Sequence, residues 1–115
     1  MTLRTQKIAE LLRSEISAIL LRKARDKRIG FVSITNVEVT ADLAEAFVYV
    51  SIFGTPLEKE LGMKGLRSAA KYIRVELGKV LTFYTTPRII FKEDDSLEKG
   101  SKIIAKLNAL NIKKD

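Results

Sequence analysis

Four basic residues in the middle of the chain are spaced as they would be along one face of an α-helix. They follow one another at steps of three, four and three residues: Lys64, Arg67, Lys71 and Arg74. On a helix such steps bring neighbouring Cβ atoms to within about 5–6 Å, so the positive charges repel one another. A nucleic-acid backbone alongside would turn that repulsion into attraction, because it carries a phosphate at every nucleotide. We therefore predict a phosphate-binding surface formed by these four residues, called the basic strip.

Five further basic residues are crowded where the first predicted helix ends. This basic cluster consists of Arg22, Lys23, Arg25, Lys27 and Arg28. Cations at a helix C-terminus also complement the helix dipole, so the cluster has a structural explanation as well as a functional one. The chain carries 21 Lys and Arg against 14 Asp and Glu, and the excess lies in residues 1–30 and 61–92, on either side of an acidic block. This distribution favours a polyanionic partner, and we interpret the basic cluster as a second phosphate patch.

Catalytic chemistry has few candidate residues in this sequence. The chain has no histidine and no cysteine, which removes the commonest general base, the commonest neutral metal ligand and thiol catalysis. Asp94-Asp95 is a pair of adjacent carboxylates, but no third ligand or second catalytic group accompanies it, and a helix N-cap explains both residues. A nuclease would need a metal or a base that we do not find. We predict no catalytic residue, no metal and no cofactor.

The first half of the chain is predicted to form one helix and two strands. Apolar residues at helical spacing predict a helix from about residue 5 to residue 24, capped by Thr2 or Thr5. From residue 31 to 52 the apolar period changes to two, which is typical of strands. The turn between the strands is predicted at Ala41-Asp42-Leu43. The parity of the apolar residues changes within the first strand, which predicts a bulge near Thr35-Asn36.

The second half is predicted to hold the helix that carries the basic strip. Pro56 is predicted to close the strand pair. After it, the opposite, apolar face of that helix is formed by Leu66, Ala70, Ile73 and Leu77. A short strand at 88–92 and a last helix follow, the latter capped by Asp94, Asp95 or Ser96. The order is α-β-β-α-β-α, and we predict one α+β domain over residues 1–115. No apolar run approaches the roughly 20 residues of a membrane span, and the N-terminus has no signal-peptide core. A cytosolic monomer is expected.

The segment Gly62-Met63-Lys64-Gly65 matches the G-x-x-G loop with which KH domains clamp a nucleic-acid backbone. In a KH domain this loop joins two helices, whereas the space between Pro56 and Gly62 holds barely more than one helical turn. The short pattern keeps open an alternative function, that of a general single-stranded RNA-binding protein of KH type.

Three segments taken in order carry a more specific resemblance. They are Asp42-Leu43 running into Ala46–Val50, then Tyr72-Ile73-Arg74 with Leu77-Gly78, then Pro87 followed by Phe91 and Asp94-Asp95-Ser96. Together with the basic helix before them, they resemble the ribosome-binding factor A family over nearly the whole chain.

The resemblance implies a type II KH-like fold, with a three-stranded sheet packed on helices. In this family the junction of the two KH helices lacks G-x-x-G and kinks at an A-x-G sequence, which corresponds here to Ala69-Ala70-Lys71. The small side chains of Ala69 and Ala70 would let two helical pieces bend and the RNA backbone approach closely. We therefore add both alanines to the predicted RNA-binding residues. Lys71 replaces the family glycine and adds a charge.

The resemblance also implies a function. Members of this family bind the free or immature 30S small ribosomal subunit and assist late maturation of its 16S rRNA, including the 5′ end, notably in the cold. They act without catalysis, by stabilising one rRNA conformation, and leave when a GTPase partner acts. The expected partners are thus 16S rRNA, the 30S subunit and an assembly GTPase, with no membrane.

Overall fold

The computed structural model describes residues 2–22, 32–81 and 85–94. Their elements, in chain order, are α1 (Leu3–Arg22), β1 (Val32–Val39), β2 (Glu45–Ile52), α2 (Pro56–Val80) and β3 (Arg88–Glu93). The predicted order is confirmed from α1 to β3. The predicted last helix lies outside the described residues.

The three strands form one sheet in the order β1-β2-β3. β1 runs antiparallel to β2, and β2 runs parallel to β3. Parallel neighbours need a crossover connection between opposite ends of the sheet, and α2 supplies it. The register shifts between Ile34 and Asn36, so the bulge predicted at Thr35-Asn36 is confirmed. The extra residue moves Val37 and Val39 into the same buried face as Ile34.

The hydrophobic core lies between the helices and one face of the sheet. β2 alternates strictly, with buried Ala46, Val48, Val50 and Ile52 separated by half-buried residues. The helices contribute side chains at helical spacing to the same cluster, among them Ile8, Leu12 and Ile16 from α1 and Leu66, Ile73 and Leu77 from α2. The predicted apolar face of α2 is therefore confirmed, and the basic strip points away from this core.

The turn between β1 and β2 is built around Asp42. Its carboxylate accepts hydrogen bonds from the Thr40 hydroxyl at 2.7 Å and the Ala44 N–H at 3.1 Å. These two donors hold the pKa of Asp42 below its usual value. Leu43 adopts a left-handed φ of 61°, which is unfavourable for a branched side chain, yet its side chain is buried. Burial of Leu43 in the core offsets this local strain, and the predicted turn is confirmed.

The end of β3 is attached to β1 across the whole sheet. Asp94 accepts a hydrogen bond from the Thr35 hydroxyl at 2.6 Å through Oδ2, and its N–H donates to the Val50 carbonyl at 2.7 Å. Thr35 is the extra residue of the β1 bulge. The predicted capping function of Asp94 concerns a helix outside the described residues, whereas here its carboxylate fixes the exit of β3.

α2 begins earlier than the apolar pattern indicates. Pro56 was expected to close the strand pair, but it is the first residue of α2, with Thr55 as N-cap. The Thr55 hydroxyl accepts from the Glu58 N–H at 3.2 Å, and the Glu58 carboxylate accepts from the Thr55 N–H at 3.1 Å. This reciprocal capping box satisfies two backbone donors, and proline is well suited to the first helical position. The hydrogen bond from the Thr55 N–H lowers the pKa of Glu58. Its stabilising effect is therefore complete above the ordinary pKa of glutamate and lost as the pH falls through the lowered value.

Replacing the N-cap, Thr55→Ala, is expected to lower the free energy of unfolding by about 1 kcal/mol at neutral pH, because the Glu58 N–H loses its acceptor. Urea denaturation followed by circular dichroism measures the change. Thr85→Ala is the matched control, since Thr85 is exposed, lies outside any helix and should change stability by less than about 0.5 kcal/mol. Equal stability of the two variants would contradict the capping function.

The interior of α2 corrects the interpretation of Gly62-Met63-Lys64-Gly65 as a clamp. These residues lie within a continuous helix, and Gly62 and Gly65 are buried in it. Hence no loop joins two helices at this position, and the alternative that these residues form a G-x-x-G clamp does not apply. The helix also continues through Ala69-Ala70-Lys71, so the predicted junction does not separate two helices. Lys71 favours this continuity, because lysine has a much higher helix propensity than the glycine it replaces.

Candidate nucleic-acid interface

The structure brings the four residues of the basic strip together on the outer side of α2. All four side chains are exposed, while Leu66, Ile73 and Leu77 on the opposite side are buried. A helix rises about 1.5 Å per residue, so the strip is about 15 Å long from Lys64 to Arg74. That arrangement presents a row of positive charges to a ligand lying along the helix.

Few contacts within the described residues engage these charges. Lys64 lies 3.6 Å from a Glu60 carboxylate oxygen in a pair whose side chains are both more than half exposed, and such pairs contribute little free energy. Arg74 donates to the Thr86 carbonyl at 3.3 Å, which turns its guanidinium toward the start of β3. Within the described part of the chain, Arg67 and Lys71 make no ion pair and no side-chain hydrogen bond. Both remain available to phosphate oxygens.

With about 100° of rotation per residue, Ala70 lies next to the basic strip on α2, whereas Ala69 lies on the opposite side of the helix. Both are half-buried and pack against the hydrophobic core. Their small side chains let α2 approach the sheet closely at this point, which explains why alanine is suited to these positions. Contact of either alanine with RNA stays a prediction.

A surface groove extends the basic strip toward the N-terminus of α2. Its volume is about 450 Å³, and its lining residues are Pro56, Lys59, Glu60, Met63, Lys64, Arg67 and Glu93. Three of these residues are cations and two are carboxylates, so the charged side chains that line the groove carry a net positive charge. The sequence did not predict this groove, because Glu93 lies far along the chain from the other lining residues. Only the return of the chain from α2 into β3 places Glu93 beside them. Lys59 was not predicted to belong to this surface, because it lies five residues before Lys64 and does not follow the spacing of three and four residues.

The basic cluster cannot be placed on this surface. Lys23, Arg25, Lys27 and Arg28 lie outside the described residues, as does the side chain of Arg22. The described part of α1 extends to Arg22, and the predicted end of this helix near residue 24 lies outside the described residues.

Several aromatic residues lie outside the buried core. Phe53 is 71% exposed and Tyr72 is 42% exposed. Phe47 and Tyr49 are half-buried on the sheet face opposite the core, where the Lys92 ammonium lies 5.1 Å from the centroid of the Phe47 ring. This contact is a cation–π interaction on a partly solvated surface.

The described residues contain neither a candidate metal site nor a candidate membrane span. Among residues 2–22, 32–81 and 85–94, acidic side chains form no group of three or more suited to a metal ion. No helix in these same ranges has the length and apolar character needed to cross a membrane.

The decisive comparison is with a protein-family model. The model described as ribosome-binding factor A matches residues 4–107 of this sequence. The chain belongs to the ribosome-binding factor A family. The resemblance to that family inferred from the sequence is thereby confirmed.

Proteins named ribosome-binding factor A from several organisms align with most of this chain. That of Halothermothrix orenii is 48% identical over 87% of this chain and 82% of its own length. The solution structure of a Thermotoga maritima protein, proposed to be a ribosome binding factor A, is 31% identical. It has a TM-score of 0.72 and covers 82% of this chain and 90% of its own.

A third comparison is with a Thermus thermophilus ribosome binding factor A. It is a homology model fitted into a cryo-electron microscopy map of a 30S complex of that protein. It shares 20% identity with this chain, covers 84% of it and 97% of its own length, and has a TM-score of 0.59. The likeness shows a common fold. The α+β, KH-like architecture expected of a ribosome-binding factor A is thus confirmed.

Proposed function

We propose that this protein binds the free or immature 30S ribosomal subunit in the cytoplasm and assists late maturation of its 16S rRNA, including the 5′ end. The observation that supports this proposal best is the exposed basic strip on α2 in a member of a ribosome-binding family. The binding described for the Thermus protein supports the choice of the 30S subunit as the partner.

The proposed contact is between phosphates and the basic strip, together with Lys59 in the adjoining groove. The basic cluster from Arg22 to Arg28 forms a second phosphate patch in this proposal. Phosphate contacts position a protein without reading base sequence, so specificity comes from the shape of the folded rRNA. A protein that binds one rRNA conformation more tightly than the others raises the population of that conformation, and this requires no catalytic group. Ala69 and Ala70 are proposed to let the RNA backbone come close to α2.

Release from the subunit is proposed to depend on an assembly GTPase, as the family resemblance implies, and the protein is proposed to act as a monomer. A general single-stranded RNA-binding function of KH type is the weaker candidate. Its distinguishing feature was a G-x-x-G loop, and Gly62 and Gly65 are instead buried inside α2.

Co-sedimentation with purified 30S subunits, 50S subunits and 70S ribosomes over a salt series tests the proposal. We expect selective pelleting with 30S subunits and an affinity that falls steeply as salt rises, because each phosphate contact releases bound counterions. Equal binding to all three particles would contradict selective 30S binding and favour the general RNA-binding function. Cleavage of RNA by the purified protein with magnesium would contradict a non-catalytic function.

A further inference from the structure

The groove beside the N-terminal half of α2 contains a carboxylate that phosphate contacts do not explain. All of its lining residues except Glu93 come from one face of α2, within residues 56–67. Glu93 is the last residue of β3 and has the same parity as the buried Ile89 and Phe91. Because side chains alternate across a strand, the Glu93 side chain lies on the sheet face that the helices cover. The groove is therefore bounded by α2 on one side and by the Glu93 carboxylate on the other.

The Glu93 carboxylate has no partner within the described part of the chain. It forms no ion pair and no hydrogen bond there, although three cations line the same groove. Glu60 differs, because the Lys64 ammonium lies 3.6 Å from it. A ligand that presented only phosphates to the groove would be repelled by Glu93. A ligand that also donates hydrogen bonds would satisfy this carboxylate, which can only accept them.

The apolar part of the groove suits a flat ring system. Met63 is buried and Pro56 is exposed, and both line the space between the charged side chains. Methionine sulfur packs favourably against aromatic rings. The volume of about 450 Å³ lies within the range of about 300–1,000 Å³ typical of pockets for small organic ligands. A nucleobase combines an apolar face, which can lie on Met63 and Pro56, with a polar edge that can reach a carboxylate.

The groove is continuous with the basic strip. Lys64 and Arg67 belong to both surfaces, and the strip continues along α2 to Arg74, over about 15 Å in all. A ligand whose base occupies the groove can therefore place the phosphates of neighbouring nucleotides along the strip. A free mononucleotide would fill the groove alone. This continuity favours RNA as the ligand, so the inference rests on the proposed function.

We propose that the groove binds an unpaired guanine of RNA and that Glu93 recognises its Watson–Crick edge. Guanine presents two adjacent donors on this edge, N1–H and the N2 amino group, which match the two oxygens of one carboxylate. Adenine and cytosine place an acceptor beside their amino group, and uracil has one N–H between two acceptors, so a carboxylate disfavours all three. In a duplex the guanine donors are bonded to cytosine, and the guanine must therefore be unpaired. Glu93 adds base recognition to phosphate contacts that only position the RNA.

Oligonucleotides that differ at one position test this assignment. The probe is a fluorescein-labelled uridine oligonucleotide with guanosine, inosine or uridine at its centre. Fluorescence anisotropy at low salt is expected to show about tenfold tighter binding of the guanosine form than of the uridine form, because hydrogen bonds to a charged acceptor are strong. Inosine keeps N1–H but lacks the N2 amino group, so its affinity should lie between the two. Free GMP should compete weakly, because it makes no contacts along the rest of the strip.

Glu93→Gln separates base recognition from phosphate binding. Its amide offers one acceptor oxygen instead of two, so most of the preference for guanosine should be lost. Affinity for the uridine oligonucleotide should stay equal or rise, because a negative charge near the phosphates has been removed. Glu38→Gln is the matched control. It removes the same charge from an exposed carboxylate on β1 and should keep the full preference for guanosine.

Other outcomes overturn the proposal. They are the absence of oligonucleotide binding, the absence of a guanosine preference in the wild-type protein, an undiminished preference in Glu93→Gln, and an equal loss of preference in both glutamine variants. If GMP bound as tightly as the guanosine oligonucleotide, the groove would be a site for a free nucleotide instead of RNA. Failure of this proposal is distinguishable from failure of the proposed function, because co-sedimentation measures binding to the 30S subunit without regard to base preference.

Discussion

Reversing two charges of the basic strip, Arg67→Glu/Arg74→Glu, is expected to weaken binding to 30S subunits by about a hundredfold or more at moderate salt. Hydrogen bonds to charged groups contribute about 1.5–3 kcal/mol each, and the new carboxylates would also repel the phosphates. Both side chains are exposed on the outer side of α2, so the exchange leaves the core intact. Co-sedimentation with 30S subunits over a range of protein concentrations measures the loss.

A matched charge reversal on α1 separates local contact from net charge. Arg4→Glu/Lys7→Glu exchanges two exposed cations three residues apart, and it changes the net charge by the same amount. Carboxylates near the N-terminus of α1 are compatible with the helix dipole, so the control variant should fold. It is expected to retain most of its affinity, since these residues lie on another helix. Equal losses of affinity in the two variants would mean that net charge alone drives binding. Unchanged affinity in both variants would mean that the contact does not lie on α2, and the basic cluster would be the next candidate.

The salt dependence of the two variants gives an independent measure of the same contact. For single-stranded nucleic acid the slope of log affinity against log salt is about −0.7 for each phosphate neutralised. Loss of two phosphate contacts should therefore flatten the slope by roughly 1.4 in the strip variant. The slope of the α1 variant should match that of the wild-type protein.

The basic strip could be predicted from sequence because helical periodicity alone determines it. Once Leu66, Ile73 and Leu77 define the buried side of α2, residues at positions 64, 67, 71 and 74 must face outward. The bulge in β1 was predictable for a similar reason, since side chains alternate across a strand and a change in parity requires an extra residue. These features depend on local geometry.

The features that sequence reasoning missed depend on competition between local signals or on distant residues. Thr55 and Glu58 form a capping box, but Pro56 between them was interpreted as a strand-closing residue rather than as the first residue of a helix. Gly62 and Gly65 matched a loop motif, yet glycine costs a helix only about 1 kcal/mol, and packing of α2 overrides that cost. The groove beside Lys59 needs Glu93, which only the crossover to β3 brings near. Such a juxtaposition leaves no periodic signal in the sequence.

Truncating a core leucine of the same helix, Leu66→Ala, is expected to lower the free energy of unfolding by about 3 kcal/mol. Leu66 is fully buried between α2 and the sheet, so its removal loses apolar burial and leaves a cavity that the surrounding side chains fill only in part. Native domains of this size are stable by roughly 5–15 kcal/mol, so the variant would lose a large share of its stability. Urea denaturation monitored by circular dichroism measures the change.

Leu57→Ala provides the matched control because it makes the same substitution in the same helix at a site 64% exposed. Leucine and alanine are both strong helix formers, so helix propensity changes little in either variant and the difference between them reports mainly burial. We expect the control to change stability by less than about 0.5 kcal/mol. A large loss in both variants would mean that Leu57 is covered in the folded protein, contrary to its exposed position. A small loss of stability in both variants would mean that α2 packs loosely on the sheet. A loosely packed α2 would not hold Arg67 and Arg74 in fixed positions for phosphate contacts.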